Sequence, residues 1–133
     1  ALLEGTIDML ATDHAPHTWE EKARPFAEAP FGINGLETSL AAVWHYLIAP
    51  GILSVKRLLE AWSLAPARRF GLAGGSLKPG QRADMVLFDP DRTLEIKTEN
   101  LASKAQNTPF LHMKVQGCPV MTWVGGRLVA NRE

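Results

Sequence analysis

The sequence predicts an α/β protein whose carboxyl-terminal part is all β, and three features support this prediction. The apolar run at residues 6–12 has no helical periodicity, so we expect a buried strand there. A loop and then helical periodicity occupy the chain up to residue 73, whereas residues 74–133 carry turn signals and strand-like runs. We therefore divide the chain into residues 1–73, with the strand, a loop and helices, and residues 74–133, the β segment.

Composition and charge narrow the class of protein. The 133 residues suffice for one domain with a core, and 46% apolar with 21% charged residues is typical of a soluble globular protein. The net charge is zero, so the sequence gives no electrostatic reason to expect nucleic acid or a membrane surface as a partner. The single cysteine, Cys118, rules out an internal disulfide framework and indicates a cytoplasmic protein.

The amino-terminal residues resemble a segment from the middle of a folded domain. No stretch approaches the roughly 18 apolar residues that a membrane span requires, and the first residues lack the regions of a signal peptide. The chain does not start with Met and runs almost at once into an apolar stretch. We therefore expect the 133 residues to be part of a longer protein.

Three helices are predicted after the first loop. The stretch NGLETSLAAVWHYLIAPG has the spacing of one helical face. That face is predicted to lie in the core and consists of Leu36, Leu40, Val43 and Leu47. Asn34 is the predicted N-cap, and Pro50 with Gly51 ends the helix. Ser54 caps a second helix, SVKRLLEAW, and Pro66 starts a third, PARRFGL.

Three strand signals lie in the β segment. The apolar run at residues 85–88 follows a Pro-Gly turn and is expected to end at Asp89 and Pro90. Residues 94–96 alternate in the manner of a short strand. VMTWV and RLVAN flank a Gly-Gly pair, which predicts a β-hairpin.

The stretch ATDHAPH at residues 11–17 is the strongest candidate for a reaction centre. Asp13 stands at the carboxyl end of the predicted strand, and a carboxylate there can bind a metal or move a proton. With Zn²⁺ the two roles join, since the metal lowers the pKa of its bound water and the carboxylate accepts the proton. His14 and His17 do not share a regular helical face, because Pro16 lies between them and can hold His17 in a fixed orientation.

The cluster also has an ordinary explanation. A turn-forming Asp beside a solvated His is common in loops, and a catalytic zinc takes about three protein ligands, more than this stretch offers in a reliable geometry. Lys22 and Arg24 are interpreted as solvated surface charges, although they could attract an anion. Glu37 is interpreted as a residue that complements a helix dipole. The other His residues and the cysteine are predicted to be structural: His45, His112 and Cys118.

Two motifs together carry a specific resemblance. TDHAPH followed by PFGINGLETSL closely resembles the dihydroorotases, in the long-chain bacterial branch of the amidohydrolase superfamily. SLKPGQRADMVLFDP and NTPFLHMKVQGCPVMTWVGGRLV resemble the carboxyl-terminal β part of those enzymes, so the resemblance covers essentially the whole chain. It implies the C-terminal part of a metal-dependent TIM (β/α)8 barrel with a small β-sandwich segment beside it, and residues 6–12 as the eighth barrel strand.

The resemblance also assigns roles to individual residues. Asp13 matches the last metal-site carboxylate of the family, which acts as general base and then as general acid. His17 matches a residue that binds the substrate carboxylate, and Phe31 and Gly32 match a backbone stretch that contacts the substrate. His14 is not a ligand in the family and is interpreted as a supporting or structural residue. The implied cofactor is Zn²⁺, as one or two ions.

Most of the implied metal site lies outside this sequence. The family's other ligands are an early His-x-His pair, a mid-chain Asp or Lys and two later histidines, all of which would precede Ala1. A barrel of this type takes about 250 residues, so the chain supplies only its last strand and the following helices. We expect the isolated 133 residues to bind zinc poorly and to be inactive.

The implied activity is that of a dihydroorotase. Such an enzyme carries out the zinc-dependent, reversible cyclisation of N-carbamoyl-L-aspartate to L-dihydroorotate in de novo pyrimidine (UMP) biosynthesis. The implied partner is this small molecule, without nucleic acid or membrane, and the assembly is a homodimer or a complex with aspartate transcarbamoylase. Two alternatives stay open: a related cyclic amidohydrolase, allantoinase or dihydropyrimidinase, and a non-catalytic dihydroorotase-like partner of aspartate transcarbamoylase. PFGINGLET beside DHAPH favours dihydroorotase.

Overall fold

Short helices pack against a three-stranded antiparallel sheet in residues 1–132, the part of the chain that a computed structural model describes. The predicted α/β class is confirmed. The helical elements are α1 (Trp19–Lys22), α2 (Ser39–Val43) with a π-helical continuation at Trp44–Ile48, and α3 (Val55–Leu59), which runs through the π-helical Glu60–Leu64 into α4 (Ala65–Phe70). The remaining elements are β1 (Met85–Glu95), a 3-10 turn (Thr98–Asn100), β2 (Lys114–Val124) and β3 (Arg127–Asn131). None of these helices is long and apolar enough to cross a membrane.

Residues 6–12, predicted as a strand, do not form one. A parallel strand needs a neighbouring strand to bond its backbone, and the described residues provide none here. The segment is held from the helical side instead, since the Leu10 N–H donates to the Ala61 carbonyl at 3.0 Å. The Arg57 guanidinium donates to the Ile7 carbonyl. The place of this segment in a barrel stays a prediction.

Helix α2 begins later than its predicted N-cap. The residue before the helix is Thr38, and the prediction of Asn34 as the cap is wrong. Asn34 is 2% exposed, and its Nδ2 donates to the Ala105 carbonyl at 2.8 Å. The side chain is therefore engaged by a segment far along the chain, which a local capping pattern does not reveal.

Small side chains bring α2 onto the sheet. Ala41 is 3% exposed and packs with Ile96 and Val115. Because an alanine methyl projects only a short way, the helix can lie close to β2. The predicted leucine stripe is not the core, since Leu36 precedes the helix and is 60% exposed. The other members of the stripe are half-buried: Leu40, Val43 and Leu47.

One continuous helical segment contains the second and third predicted helices. Ser54 caps it as predicted, and its Oγ accepts the Arg57 N–H at 3.2 Å. Pro66 lies in the first turn of α4 but does not start a separate helix, because the π-helical turn Glu60–Leu64 joins α3 to α4. Proline has no N–H to donate, and a wider turn before it accommodates the missing hydrogen bond.

The sheet has the strand order β1-β2-β3. The predicted hairpin between β2 and β3 is confirmed, with Gly125 and Gly126 at φ values of 57° and 80°, which a type I′ turn requires. The predicted end at Asp89 and Pro90 is wrong, because β1 continues through an irregular pairing between Asp89 and Thr93. A bulge tolerates a proline, since its residues leave the hydrogen-bond ladder.

The π-helical continuation of α2 docks on β2. Trp44 lies over Gly117, and a Cβ on Gly117 would overlap the indole ring of Trp44. The ring centroids of Trp44 and Phe88 are 4.6 Å apart. His45 Nδ1 accepts the Gln116 N–H at 3.1 Å, which agrees with the structural role predicted for this histidine. Since the helical part packs directly on the β part, their division into two domains stays a prediction.

Candidate active site

Asp13 has a backbone conformation that few residues adopt. Its φ is 44°, in the left-handed region, and Asp is one of the few non-glycine residues enriched there. Residues held in such conformations cluster at functional sites. The side chain is exposed, so the carboxylate is accessible to a ligand.

Two loops that carry the predicted site residues lie side by side. His14 and Ile33 form an isolated parallel bridge, and the Ala15 N–H donates to the Ile33 carbonyl at 2.8 Å. Gly32 has a φ of 94°, and a Cβ there would lie 2.5 Å from the Ala15 Cβ. Glycine is required at this position, because a side chain would push the loops apart. The loops bring the predicted site residues together: Asp13, His17, Phe31 and Gly32.

His17 contacts the second loop directly. Its Nε2 lies 2.9 Å from the Phe31 carbonyl oxygen, and because a carbonyl only accepts, this contact requires the proton on Nε2. Its Nδ1 lies 3.6 Å from Glu21 Oε2, an ion pair when the imidazole is protonated. His17 therefore orients the Phe31 backbone, and binding of a substrate by either residue stays a prediction.

Lys22 is not the solvated surface charge that the sequence predicts. Its side chain is half-buried, and Nζ donates to the Pro30 carbonyl at 2.9 Å and to the Gly32 carbonyl at 3.0 Å. Arg24, by contrast, is exposed as predicted. A lysine in a short helical turn gives the same sequence pattern whether its ammonium meets water or a nearby loop, so the pattern could not reveal this contact.

Helix α1 is a single turn stabilised by a capping box. Thr18 Oγ1 accepts the Glu21 N–H at 3.3 Å, and the Glu21 carboxylate accepts the Thr18 N–H at 2.9 Å. This backbone N–H of Thr18 holds the pKa of Glu21 below its ordinary value of 4.5. The box fixes the turn from which His17 and Lys22 reach the Phe31 loop.

Asn107 is a site residue that the sequence does not single out. Its Nδ2 donates to the Ala15 carbonyl at 3.0 Å, and its Oδ1 accepts the His17 N–H at 3.2 Å. Its own carbonyl accepts the Asn34 N–H at 3.1 Å. One residue of the β part thereby holds both loops. An asparagine outside helices and strands usually forms a turn, so its sequence context gives no signal for this role.

The side chains of Glu37 and His14 make further hydrogen bonds to the backbone near the site. The Glu37 carboxylate accepts the N–H groups of Ala102 and Ser103 at 2.7 and 2.8 Å, so it anchors this segment and the helix-dipole interpretation is wrong. His14 Nδ1 accepts the Leu36 N–H at 3.2 Å, in agreement with the supporting role predicted for it. The His14 contact connects the Asp13 loop to the start of the helical part, and the Glu37 contact connects that start to the segment at Ala102 and Ser103.

The described residues do not hold a complete metal site. Among residues 1–132, no three or more His, Cys, Asp or Glu side chains come together in a way that could hold a metal ion. A catalytic zinc takes about three protein ligands. Asp13, with its exposed carboxylate, is chemically suited to be one of them, so the donor set fits one part of such a site.

The model of the amidohydrolase family matches residues 1–129. The chain belongs to this family. Amidohydrolases similar to it include the dihydroorotases of Bacillus thuringiensis (strain Al Hakam) and Bacillus cereus (strain AH187), each 47% identical over 132 residues. These matches cover 99% of this chain and 31% of each relative, so the chain spans about a third of the length of those enzymes. The predicted resemblance to part of a dihydroorotase is confirmed.

Two solved hydantoinase structures share the backbone of this amidohydrolase chain. The L-hydantoinase (dihydropyrimidinase) from Arthrobacter aurescens has a TM-score of 0.91 at 36% identity, over 98% of this chain and 30% of that one. The D-hydantoinase (dihydropyrimidinase) from Thermus sp. has a TM-score of 0.89 at 29% identity, with the same coverage of 98% and 30%. The predicted fold class, part of a TIM-barrel amidohydrolase, is confirmed. The individual roles of the site residues stay predictions.

Proposed function

We propose that this chain is part of a dihydroorotase, which reversibly cyclises N-carbamoyl-L-aspartate to L-dihydroorotate in pyrimidine biosynthesis. The identity of 47% with two dihydroorotases supports this choice among the cyclic amidohydrolases. The observation that carries it is the pairing of His14 with Ile33, which sets the Asp13 loop beside the backbone of Phe31 and Gly32. The proposed proton-transfer group and the proposed substrate-binding surface would thereby be neighbours.

Asp13 is the residue that would move the proton. Ring closure joins the ureido nitrogen to a carboxyl carbon with loss of water, and the reverse reaction adds water to a cyclic amide. Each direction needs a group that takes a proton from one atom and returns it to another. The exposed Asp13 carboxylate can act as general base toward water in hydrolysis and then, protonated, as general acid toward the ring nitrogen.

His17 and the backbone at Phe31 and Gly32 would orient the anionic substrate. Their mutual contact, 2.9 Å from His17 Nε2 to the Phe31 carbonyl, keeps the two groups in one place. Fixed binding groups lower the entropic part of the barrier to reaction.

Zinc is the cofactor that we propose, with Asp13 as the ligand that this chain supplies. When bound, the metal stabilises the negative charge that develops on the amide oxygen. Because residues 1–132 bring no three candidate ligands together, we place the remaining ligands in other residues of the complete protein. In this proposal, Asp13 would both bind the metal and transfer the proton.

A second candidate is hydrolysis of another cyclic amide, in the manner of a dihydropyrimidinase. The observation in its favour is the TM-score of 0.91 with the L-hydantoinase from Arthrobacter aurescens, at 36% identity. Both reactions open a ring at an amide bond and need the same proton transfer. They differ in the ring substituent, so the substrate-binding loop decides between them.

The test is ring opening by the complete native chain, with zinc content measured on the same sample. We expect dihydroorotate to be opened and carbamoyl aspartate to be closed, with little activity on dihydropyrimidine or hydantoin rings. Activity on those rings alone would replace the first candidate with the second. A protein with neither activity nor zinc would instead fit a non-catalytic partner of aspartate transcarbamoylase, which binding to that enzyme in gel filtration would reveal.

Location and assembly belong to the same proposal. Cys118 is a free thiol with 1% exposure, which is expected of a protein in the reducing cytoplasm. We propose a homodimer or a complex with aspartate transcarbamoylase as the assembly. Light scattering on the complete chain, alone and mixed with that enzyme, distinguishes the two.

A further inference from the structure

Three successive carbonyl groups face side chains of the α1 region. The Pro30 and Gly32 carbonyls accept from the Lys22 ammonium at 2.9 and 3.0 Å. The Phe31 carbonyl between them lies 2.9 Å from His17 Nε2. Lys22 and His17 together therefore hold every carbonyl from Pro30 to Gly32.

The N–H groups of the same peptides face the other way. A trans peptide is planar, and its C=O and N–H point in opposite directions. The Phe31 N–H, which shares its peptide with the Pro30 carbonyl, is therefore directed away from Lys22. A backbone N–H is a strong donor, so one that faces away from the ammonium can donate to an anion.

The charge of Lys22 strengthens the Phe31 N–H as a donor. Within residues 1–132, no Asp or Glu side chain comes within 4.0 Å of its ammonium, so the charge is not paired with a carboxylate. The side chain is half-buried, which reduces the screening of its field by water. A positive charge behind the peptide groups polarises them toward an anion on the opposite side.

We propose that Lys22 is a positioning residue that fixes the backbone of Phe31 and Gly32 as the binding surface for a carboxylate of the substrate. Lys22 acts through this backbone and does not itself contact the substrate. The identity of the substrate rests on the proposed function, whereas the fixation of the loop by Lys22 does not. The two parts can therefore be tested separately.

Hydrogen–deuterium exchange of residues 29–34 in the complete native chain tests the fixation. Lys22→Met removes the ammonium and both hydrogen bonds but keeps an unbranched side chain. We expect exchange of this segment to rise about tenfold, as for the loss of one charged hydrogen bond. Lys22→Arg keeps the charge and several donors and is expected to restore most of the protection. Lys56→Met removes an exposed lysine from α3 and is the matched control.

Kinetics with dihydroorotate test the link to substrate binding. In Lys22→Met we expect the KM to rise about tenfold while kcat stays within about twofold, because binding common to ground state and transition state is lost. Lys22→Arg should bring the KM most of the way back. A merely structural role would lower the amount of folded enzyme and would leave the KM unchanged.

The outcomes separate the two proposals. Unchanged exchange at residues 29–34 in a folded Lys22→Met protein overturns the fixation. Raised exchange with an unchanged KM overturns the role in substrate binding. A wild-type chain that does not open dihydroorotate overturns the proposed function, and the exchange experiment then still decides the fixation. If Lys22→Met does not fold, Lys22→Gln keeps one donor and must show an intermediate rise, and no rise overturns the fixation.

Discussion

A hydrogen bond of 3.2 Å joins the backbone N–H of His17 to Oδ1 of Asn107, although the two residues lie 90 positions apart. On the other side of Pro16, Asn107 Nδ2 donates to the Ala15 carbonyl at 3.0 Å. One side-chain amide therefore holds the loop of Asp13 at two points. The geometry of the candidate active site depends on a residue of the β part.

Asn107→Asp tests this dependence. The change keeps an oxygen for the His17 N–H, but a second oxygen replaces the donor to the Ala15 carbonyl. We expect the free energy of unfolding to fall by about 1–3 kcal/mol, and dihydroorotate ring opening to slow by about tenfold to a hundredfold. Urea unfolding and steady-state kinetics measure the two effects. Gln106→Glu is an exposed neighbouring control. Full activity in a folded Asn107→Asp protein would show that the loop keeps its geometry without this bond.

Asp13→Asn separates proton transfer from backbone conformation. Asparagine adopts the left-handed region as readily as aspartate, so we expect the midpoint of thermal unfolding to stay close to that of the wild type. Loss of the carboxylate should lower kcat by about 10²–10⁴, the usual contribution of general acid–base catalysis. Asp8→Asn, a second exposed aspartate before the same loop, is the matched control. Substantial activity in Asp13→Asn would remove Asp13 from the proposed mechanism.

Gly32→Ala is expected to force the two loops apart. A Cβ at this position would lie 2.5 Å from the Ala15 Cβ, and we expect the overlap to cost about 1–3 kcal/mol in the free energy of unfolding. Gly5→Ala carries a similar backbone penalty, with a φ of 82°, but meets no atom within 4 Å. The difference between the two variants therefore isolates the overlap. Adding Ala15→Gly to Gly32→Ala should recover most of it, and no recovery would mean that the strain lies in the backbone alone.

Acid is expected to weaken the capping box of α1. The Thr18 N–H holds the pKa of Glu21 below 4.5, so the capping box stabilises α1 fully above that pH. This stabilisation is lost as the pH falls through the lower pKa of the folded state. Amide chemical shifts of Thr18 and Glu21, followed from about pH 6 to about pH 2, measure the loss. Glu21→Gln keeps the acceptor without a charge, so the same shifts should not titrate. Persistent titration in that variant would assign the effect to another group.

The isolated 133 residues are expected to bind zinc weakly. Asp13 is one carboxylate, and the described residues add no cluster of three ligands to it. Since affinity for structural or catalytic zinc grows with the number of preformed ligands, calorimetric titration should give no tight stoichiometric binding. The complete native chain should bind one or two ions per molecule in the same experiment. Tight binding by the isolated segment would contradict the division of the metal site that we propose.

Local sequence patterns predicted the elements whose stability is decided within a few residues. Ser54 satisfies an N–H three residues later, and Gly125 and Gly126 adopt the positive φ values of a two-residue turn. The helix cap and the two-residue turn both form from residues close together in the sequence. They can therefore be predicted without knowledge of the tertiary structure. The motif around Asp13 was found in the same way, as a short combination of residue types.

Partners that lie far apart in the sequence decided the remaining features. Asn34 has the residue type of an N-cap, but its side chain donates a hydrogen bond to the Ala105 carbonyl instead. Lys22 has the pattern of a surface lysine, but its ammonium lies against two carbonyls of the neighbouring loop. Neither contact changes composition or periodicity. Sequence patterns therefore located the candidate site and could not show what holds it in place.

The separation of 90 positions between His17 and Asn107 has a consequence for how the site comes into being. A ribosome adds residues in order, so the loop of Asp13 leaves it long before Asn107 has been made. Until then, water must take the place of the amide at the Ala15 carbonyl. A nascent chain that ends before Asn107 carries all four predicted site residues without their final arrangement. The final arrangement of these residues therefore forms only after synthesis has passed Asn107, 90 positions beyond His17.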